Sequence, residues 1–320
     1  MRVDLRTGRA AALAAALCGA GAGAADESRP PLHAQVEHAV TVPAAVIDGH
    51  RPAELSALAW DADAGELLAA SDRGVLFRWR LDDRGGPLHL QPVAAHAIRD
   101  AAGRSAALNA EALAWRRAGG NSAGGDDHGT LWVAGETAAQ AWTLDAQGRR
   151  TGSADWPAAL AADAARERST HGVEALDWDP VHGLLAGLQR ALPGPPTADG
   201  PARAWHAVHA ASGRSWRFAP AGPGSQLKAI ESLWRGATPG LLVLERLRGM
   251  RPVLRWLALD RCGDATPCTP EPVLLHGLPA DGRHNVEGLA CRDDGVCWLV
   301  SDAPSGTTPT RLLQLRLHGR

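Results

Sequence analysis

The chain has 320 residues, with 36 Gly, 22 Pro, 12 Trp, two Phe and no Tyr, and its 45% hydrophobic and 21% charged content is that of a globular protein rather than a disordered one. The formal charge of −2 argues against a nucleic-acid binder that works by charge. No apolar run reaches the roughly 18–20 residues of a spanning helix, which argues against an integral membrane protein.

The first 25 residues have the pattern of a secretory signal peptide. A positive end (Arg2, Arg6, Arg9) is followed by an apolar stretch from Ala10 to Cys18 and by the small residues Ala22-Gly23-Ala24. The alternative is a disordered Ala-rich tail. The signal predicts an exported protein, periplasmic or secreted, whose mature part, residues 26–320, is a single domain.

The most informative feature of the rest of the chain is a fivefold internal repeat. Each unit starts with a short motif around a leucine, continues through a turn into a second apolar run, and ends in alternating runs. The motif leucines are spaced by 55, 63, 57 and 56 residues and are Leu58, Leu113, Leu176, Leu233 and Leu289.

Short alternating runs broken by Gly, Pro and Asp are typical of strands, and about four strands per unit predict the blade of a β-propeller. We therefore expect an all-β fold with five blades, or six if one is degenerate. The last unit has three strands before Arg320. The N-terminal run Pro31 to Val42 is predicted to pair with Arg311 to Leu317 and to close the ring.

One segment departs from the repeat. DWPAALAADAARERS has Asp155 as a candidate cap, Pro157 in the first turn and an Ala-rich body, which predicts a short helix over residues 157–168.

Four cysteines remain after the signal, in two close pairs. Cys291 and Cys297 flank a hairpin loop that ends in Gly295, and Cys262 and Cys268 flank a similar loop, so we predict the disulfides Cys262–Cys268 and Cys291–Cys297. Both would suit an oxidising compartment. A four-cysteine metal site is the alternative, but the CxxC spacing of zinc knuckles is absent.

Acidic residues recur at the start of the repeat motifs. Because the first strand of a propeller blade lines the channel, we expect convergence of Glu54 (for Ser56 in the first unit), Glu111, Glu174, Glu231 and Glu287. The ends of the second strands add Asp72, Glu136, Glu245 and Asp302, with Gln189 in the third unit. Such a cluster predicts a bound cation, and oxygen ligands suit Ca²⁺. Alternatively, these groups cap strand ends and contact water.

Basic residues stand three positions before three of the glutamates: His171, Lys228 and His284. They are candidates for holding a phosphate or carboxylate of an anionic substrate, with a solvated rim as the alternative. No nucleophile elbow, phosphate loop or dinucleotide fingerprint is present.

The stretches ELSALAWDADAGELLAASDRG, NAEALAW with LWVAGE, HGVEALDWDP, LLVLER and NVEGLACRDDGVCWLVSD resemble the phytase-like family of secreted proteins, described by esterase-like activity. The resemblance implies an exported β-propeller with phosphoester or ester hydrolase activity, but it supplies no catalytic set. The layout is also similar to five-bladed calcium-activated nucleotidases.

Two functions follow from these observations. The first is a Ca²⁺-dependent hydrolase of phosphoester or ester substrates; the second is a non-catalytic propeller that binds a ligand or a partner in the cell envelope. A monomer with no nucleic-acid partner is expected in either case.

Overall fold

The computed structural model describes residues 30–82, 86–106, 108–119, 129–135, 140–167, 172–194, 203–247, 251–263, 266–279, 285–301 and 309–320. The predicted signal peptide lies outside them, so it stays a prediction. The predicted all-β class is confirmed, because the described residues form strands, almost all antiparallel to their neighbours, and one helix.

The first two repeats each form a four-stranded antiparallel sheet whose strands follow the chain order. The first sheet consists of β2 (Leu55–Asp61), β3 (Glu66–Ser71), β4 (Val75–Asp82) and β5 (His89–Ala97). The second consists of β6 (Ala110–Arg116), β7 (Thr130–Gly135), β8 (Gln140–Leu144) and β9 (Arg150–Asp155). In both, the repeat motif forms the first strand, as the sequence predicts.

The third sheet has the same first two strands and an additional short one. It contains β10 (Val173–Asp179), β11 (Gly183–Leu188), β12 (Leu192–Pro193), β13 (Ala204–Ala210) and β14 (Ser215–Phe218). Strand β13 pairs with β11, β12 and β14.

The last two repeats share one eight-stranded sheet with the N-terminal strand. Its strands are β15 (Gln226–Arg235), β16 (Thr238–Leu247), β17 (Arg251–Ala258), β18 (Glu271–His276), β1 (His33–Thr41), β21 (Arg311–His318), β20 (Val296–Ser301) and β19 (Val286–Cys291). Strand β1 pairs antiparallel with β21 from His33 to Thr41 and parallel with β18 over three residues. The predicted pairing of the N-terminal strand with the last strand is therefore confirmed.

The first strands of successive repeats contact one another: β2 with β6, β6 with β10, β10 with β15, β15 with β19, and β19 with β2. The sheets pack through five apolar clusters, each made by side chains from two neighbouring repeats. Tryptophan pairs bridge two of these contacts: Trp60 with Trp298 at 4.8 Å, and Trp132 with Trp178 at 5.0 Å between ring centroids. Burial of these large rings holds neighbouring sheets together.

The predicted helix is present as α1 (Ala158–Arg166). Pro157, and not Asp155, takes the N-cap position, because Asp155 ends β9 and accepts a hydrogen bond from Gln140. Buried Asp163 lies 3.1 Å from Nε2 of His209, whose Nδ1 lies 2.9 Å from the hydroxyl of Ser215. This buried series of polar contacts ties the helix to β13 and β14.

Both predicted disulfides, Cys262–Cys268 and Cys291–Cys297, are present. Cys291 and Cys297 are direct partners across the β19–β20 hairpin, as the loop length predicts. No helix in the described part of the chain has the length and apolar content that a bilayer crossing needs.

Candidate functional site

The first strand of every repeat contains a β-bulge at the same position. One residue per strand is left without a partner on the second strand, and a bulge of this kind re-aims its side chain. The five bulged residues are Ser56, Glu111, Glu174, Lys228 and Glu287, and together they line one small cavity. We call this set the inner ring.

A second position is also equivalent among the repeats. In each first strand, the residue just before the bulged one pairs with a residue near the end of the second strand. These partners are Ser71, Leu188 and Glu245 in the first, third and fourth repeats. The second-strand residues that directly follow them are Asp72, Gln189 and Arg246. Glu136 and Asp302 have the same place in the sequence but lie outside the described residues.

Lysine and arginine from the fourth repeat neutralise carboxylates of the neighbouring repeats. Nζ of Lys228 lies 2.7 Å from Oε2 of Glu174 and 3.2 Å from Oε1 of Glu287. Arg246 forms an ion pair with Glu287 as well. Gln189 donates its amide N–H to Oε1 of Glu174 at 2.5 Å. Two acidic side chains of the ring are thus paired within the protein.

The pairing of Lys228 overcomes a large desolvation cost. Only 3% of the Lys228 side chain is exposed, and burial alone would lower the pKa of its ammonium group. The carboxylates of Glu174 and Glu287 reverse this effect, so the pKa of Lys228 is raised. The ammonium group therefore stays charged at neutral pH.

Glu111 is the neutral member of the ring. Burial raises the pKa of its carboxyl group to about 10, and the negative charges of Glu174, Asp72 and Glu287 add to this, while Lys228 opposes it. Among the described residues, no side chain forms a hydrogen bond with the Glu111 carboxyl. At neutral pH a carboxyl group with this pKa is protonated, and it lies beside the Glu174–Lys228 ion pair.

Asp72 titrates near neutral pH. Burial raises the pKa of Asp72 to about 6; the hydroxyl of Ser56, which donates to the carboxylate, lowers it, and the charges of Glu287 and Glu54 raise it further. The two carboxyl groups of Asp72 and Glu111 thus have pKa values well apart, which is typical of an acid and base pair.

The cavity inside the ring measures about 10 Å³. This is room for about one water molecule. The ring can therefore hold a water molecule, and a substrate would have to approach the ring residues from outside this cavity.

Glu231 does not belong to the inner ring, contrary to the prediction. It lies three residues after the bulge, where its equivalent in the third repeat is Asp177. Burial and the charge of Asp177 raise the pKa of Glu231 well above its usual value, although Glu231 accepts a hydrogen bond from the backbone N–H of Cys291. The motif ESLW resembles the start of the other motifs, but the bulge places Lys228 at the ring position.

Glu245 is also placed elsewhere, one residue before Arg246. Because side chains alternate along a strand, Glu245 points into the packed interior, where it is fully buried. It accepts hydrogen bonds from Arg255, from Ser225 at 2.6 Å and from the backbone N–H of Ala221 at 2.8 Å. These partners give Glu245 a structural role.

Glu54 lies at the edge of the ring. It pairs with the exposed Arg73, whose Nε is 2.7 Å from Oε2 of Glu54. Its backbone has a φ of 54°, in the left-handed region that few residues other than glycine adopt. Of the predicted set, the structure brings Glu111, Glu174, Glu287, Asp72 and the predicted substrate contact Lys228 together; His171 and His284 lie outside the described residues.

The described ring residues alone do not fit a calcium ion. Among them no group of three or more His, Cys, Asp or Glu side chains is placed to hold a metal. Lys228 lies between two of the carboxylates, and its ammonium group occupies the place where a cation would contact both. Calcium binding stays a prediction that the structure does not test.

Comparison with curated proteins gives no match. Among solved structures, a virginiamycin B lyase from Staphylococcus aureus is similar over 82% of this chain and 66% of that one, with 11% identity and a TM-score of 0.38. The model of the phytase-like family, described as esterase-like activity of phytase, matches residues 51–303. These residues include all five bulged strands and the whole inner ring, and the match covers most of the chain. The chain therefore belongs to the phytase-like family.

Proposed function

We propose that the chain is a hydrolase of anionic phosphoester or ester substrates and that the inner ring with Asp72 and Arg246 is its active site. Membership of the phytase-like family supports a hydrolase in general. The observation that carries the proposal is the convergence on one cavity of Glu111, whose carboxyl has a raised pKa, with the Glu174–Lys228 ion pair and with Ser56, which donates a hydrogen bond to Asp72.

The difference in pKa between the two carboxyl groups assigns their roles. Asp72, ionised at neutral pH, accepts a proton from a water molecule as the water oxygen attacks the phosphorus or acyl carbon. Glu111 donates its proton to the leaving oxygen as the bond to it breaks. A proton then returns from Asp72 to Glu111 through solvent, and the site is restored.

Cations of the fourth repeat would hold the substrate anion. The side chain of Arg246 is 18% exposed, whereas that of Lys228 is 3% exposed. We therefore assign direct contact with the anion to Arg246, and assign to Lys228 the role of keeping Glu174 ionised. Charge-assisted hydrogen bonds from a guanidinium suit phosphate and carboxylate oxygens.

The test is hydrolysis of matched phosphate and acetate esters by the wild type, Glu111→Gln and Asp72→Asn. Each substitution should lower kcat by about 100-fold or more, the usual range for loss of a general acid or base. Asp260→Asn, an exposed carboxylate outside the ring, is the control and should leave kcat unchanged. Wild-type rates in both ring variants would contradict the proposal.

The finer architecture and location are part of the proposal. Five repeats with β1 paired to β21, and first strands that contact in cyclic order, support a five-bladed propeller closed by the N-terminal strand. The two disulfides and the N-terminal sequence pattern support an exported protein. A monomer is also part of the proposal.

Calcium binding is a separate proposal, and the proton transfers of Asp72 and Glu111 do not depend on it. A calcium ion at the ring would need ligands beyond the described residues, and Glu136 and Asp302 are the candidates that the sequence offers there.

A binding propeller without catalysis is the second candidate. The ion pairs of Lys228 and Arg246 favour it, because they satisfy Glu174 and Glu287 without any ligand. In that case the ring serves stability, and the Glu111→Gln variant would bind and fold like the wild type without loss of any activity.

A further inference from the structure

A second cavity, of about 600 Å³, lies between the first two sheets. This volume is in the range of sites for small organic molecules, about 300–1,000 Å³. Asp61, at one side of this cavity, is five residues further along β2 than Ser56 of the inner ring. Five residues of a strand span about 16 Å, so the cavity is separate from the ring.

The walls of the cavity are mostly apolar. Leucines from four strands (Leu68, Leu76, Leu131 and Leu144) and the indole of Trp115 form them. A Cβ at Gly129 would lie 2.1 Å from the Trp115 ring, so the glycine allows the backbone to pack directly against the indole. Such walls favour an apolar ligand body by removing it from water.

Three aspartates give the cavity a negative charge: Asp61, Asp63 and Asp145. One oxygen of each accepts a backbone N–H: Asp61 from Ala64 at 2.9 Å, Asp63 from Ala118 at 3.0 Å, and Asp145 from Arg149 at 2.8 Å. The second oxygen of each accepts no hydrogen bond from the residues that the structure describes. Asp61 and Asp145 are thus held by their own turns and Asp63 by the neighbouring repeat, and each can still accept from a ligand.

Arg78 is the single cation among the described lining residues, against three aspartates. Its Nη2 lies 2.7 Å from Oε2 of Glu66, a carboxylate outside the cavity that Arg80 also contacts at 3.1 Å. Burial raises the pKa of Asp61 in spite of its backbone hydrogen bonds and the charge of Arg78. The described lining residues thus contain three carboxyl groups and one guanidinium, so the cavity favours a ligand with a positive charge.

We propose that this cavity, which we call the Asp61 pocket, binds a small organic cation: a protonated amine on an aromatic or alkyl body. The ammonium group donates hydrogen bonds to the aspartates, and the apolar body packs against Trp115 and the leucines. This proposal is independent of the proposed hydrolase activity, because the Asp61 pocket contains none of the ring residues.

The test is calorimetric titration of the full chain with three probes of similar shape and different charge: 1-naphthylmethylamine, 1-naphthylmethanol and 1-naphthoate. The amine should bind about two- to fivefold more tightly than the alcohol, the difference expected for one partly exposed ion pair, and the naphthoate should bind most weakly. Equal affinity for all three probes, or no binding of the amine, would overturn the proposal.

Variants locate the binding. Asp63→Asn and Asp145→Asn should each lower the affinity for the amine and leave the affinity for the alcohol unchanged. Ala64→Trp, which adds an indole to the lining of the pocket, should weaken binding of both, whereas Asp260→Asn should change neither. If the amine binds Ala64→Trp as tightly as the wild type, the site lies elsewhere and the proposal fails. Thermal melting of each variant confirms that it is folded.

Discussion

Replacing Glu111 by glutamine should make the folded protein more stable at neutral and alkaline pH. The pKa of Glu111 rises from 4.5 to about 10 on folding, so between these values the folded protein keeps a proton that the unfolded chain has released. A raised carboxyl pKa contributes its full stability below the unfolded value and loses it as the pH rises. The free energy of unfolding of the wild type therefore falls by about 1.4 kcal/mol per pH unit through this group.

Glutamine does not ionise in the folded or the unfolded protein, so in the variant this group does not lower the free energy of unfolding as the pH rises. The difference accumulates from pH 4.5, and by pH 7 it should favour Glu111→Gln by about 3 kcal/mol. Urea unfolding of both proteins at pH 5, 6, 7 and 8, followed by tryptophan fluorescence, measures the difference. Asp260→Asn is the control and should run parallel to the wild type. If Glu111→Gln also runs parallel from pH 5 to 8, Glu111 is not held protonated and the assignment is refuted.

Three further predictions concern the ring and its closure. Lys228→Met should lower the free energy of unfolding in urea by about 3 kcal/mol or more, because it leaves Glu174 and Glu287 without their ammonium partner. Glu174→Gln in the same chain should recover part of this loss. A loss near zero would contradict the pairing. Deleting residues 31–42 should lower the melting temperature of the whole protein, since β21 loses its neighbour, whereas an unchanged melting temperature would contradict closure. The calcium prediction requires that calcium raise the melting temperature and that a chelator reverse the rise; calorimetry without binding would remove it.

The parts of the fold that the sequence predicts correctly depend on local patterns. Alternating apolar residues and turn residues place the strands, loop length places the Cys291–Cys297 bridge, and Pro157 with the alanines after it places α1. The N-terminal strand is a long-range partner, but the missing strand of the last repeat leaves one place for it.

The composition of the ring was harder to predict because it depends on a bulge. One inserted residue changes which side chain faces the centre, and no single residue type marks it. In the fourth repeat LKAIESL contains two matches to the motif, and aligning Leu233 with the other leucines selects Glu231. Aligning KAI with EAL of the other repeats would have selected Lys228 and, across the ladder, Arg246 in place of Glu245.

The charge balance of the ring follows from that shift of three residues. With Glu231 in the ring, the sequence predicts a cluster of negative charges that needs a metal. With Lys228 and Arg246 there, two carboxylates are paired and a third holds a proton. The pKa of Glu111 itself depends on burial and on three neighbours from other strands, which no local pattern reveals.

The most direct test of the central claim, that Glu111 protonates the leaving group, compares phenyl phosphate with 4-nitrophenyl phosphate. Phenol is the poorer leaving group and needs the proton more than 4-nitrophenol does. Glu111→Gln should therefore lower kcat/KM for phenyl phosphate much more than for 4-nitrophenyl phosphate. An equal loss on both substrates, or no loss on either, would contradict the account.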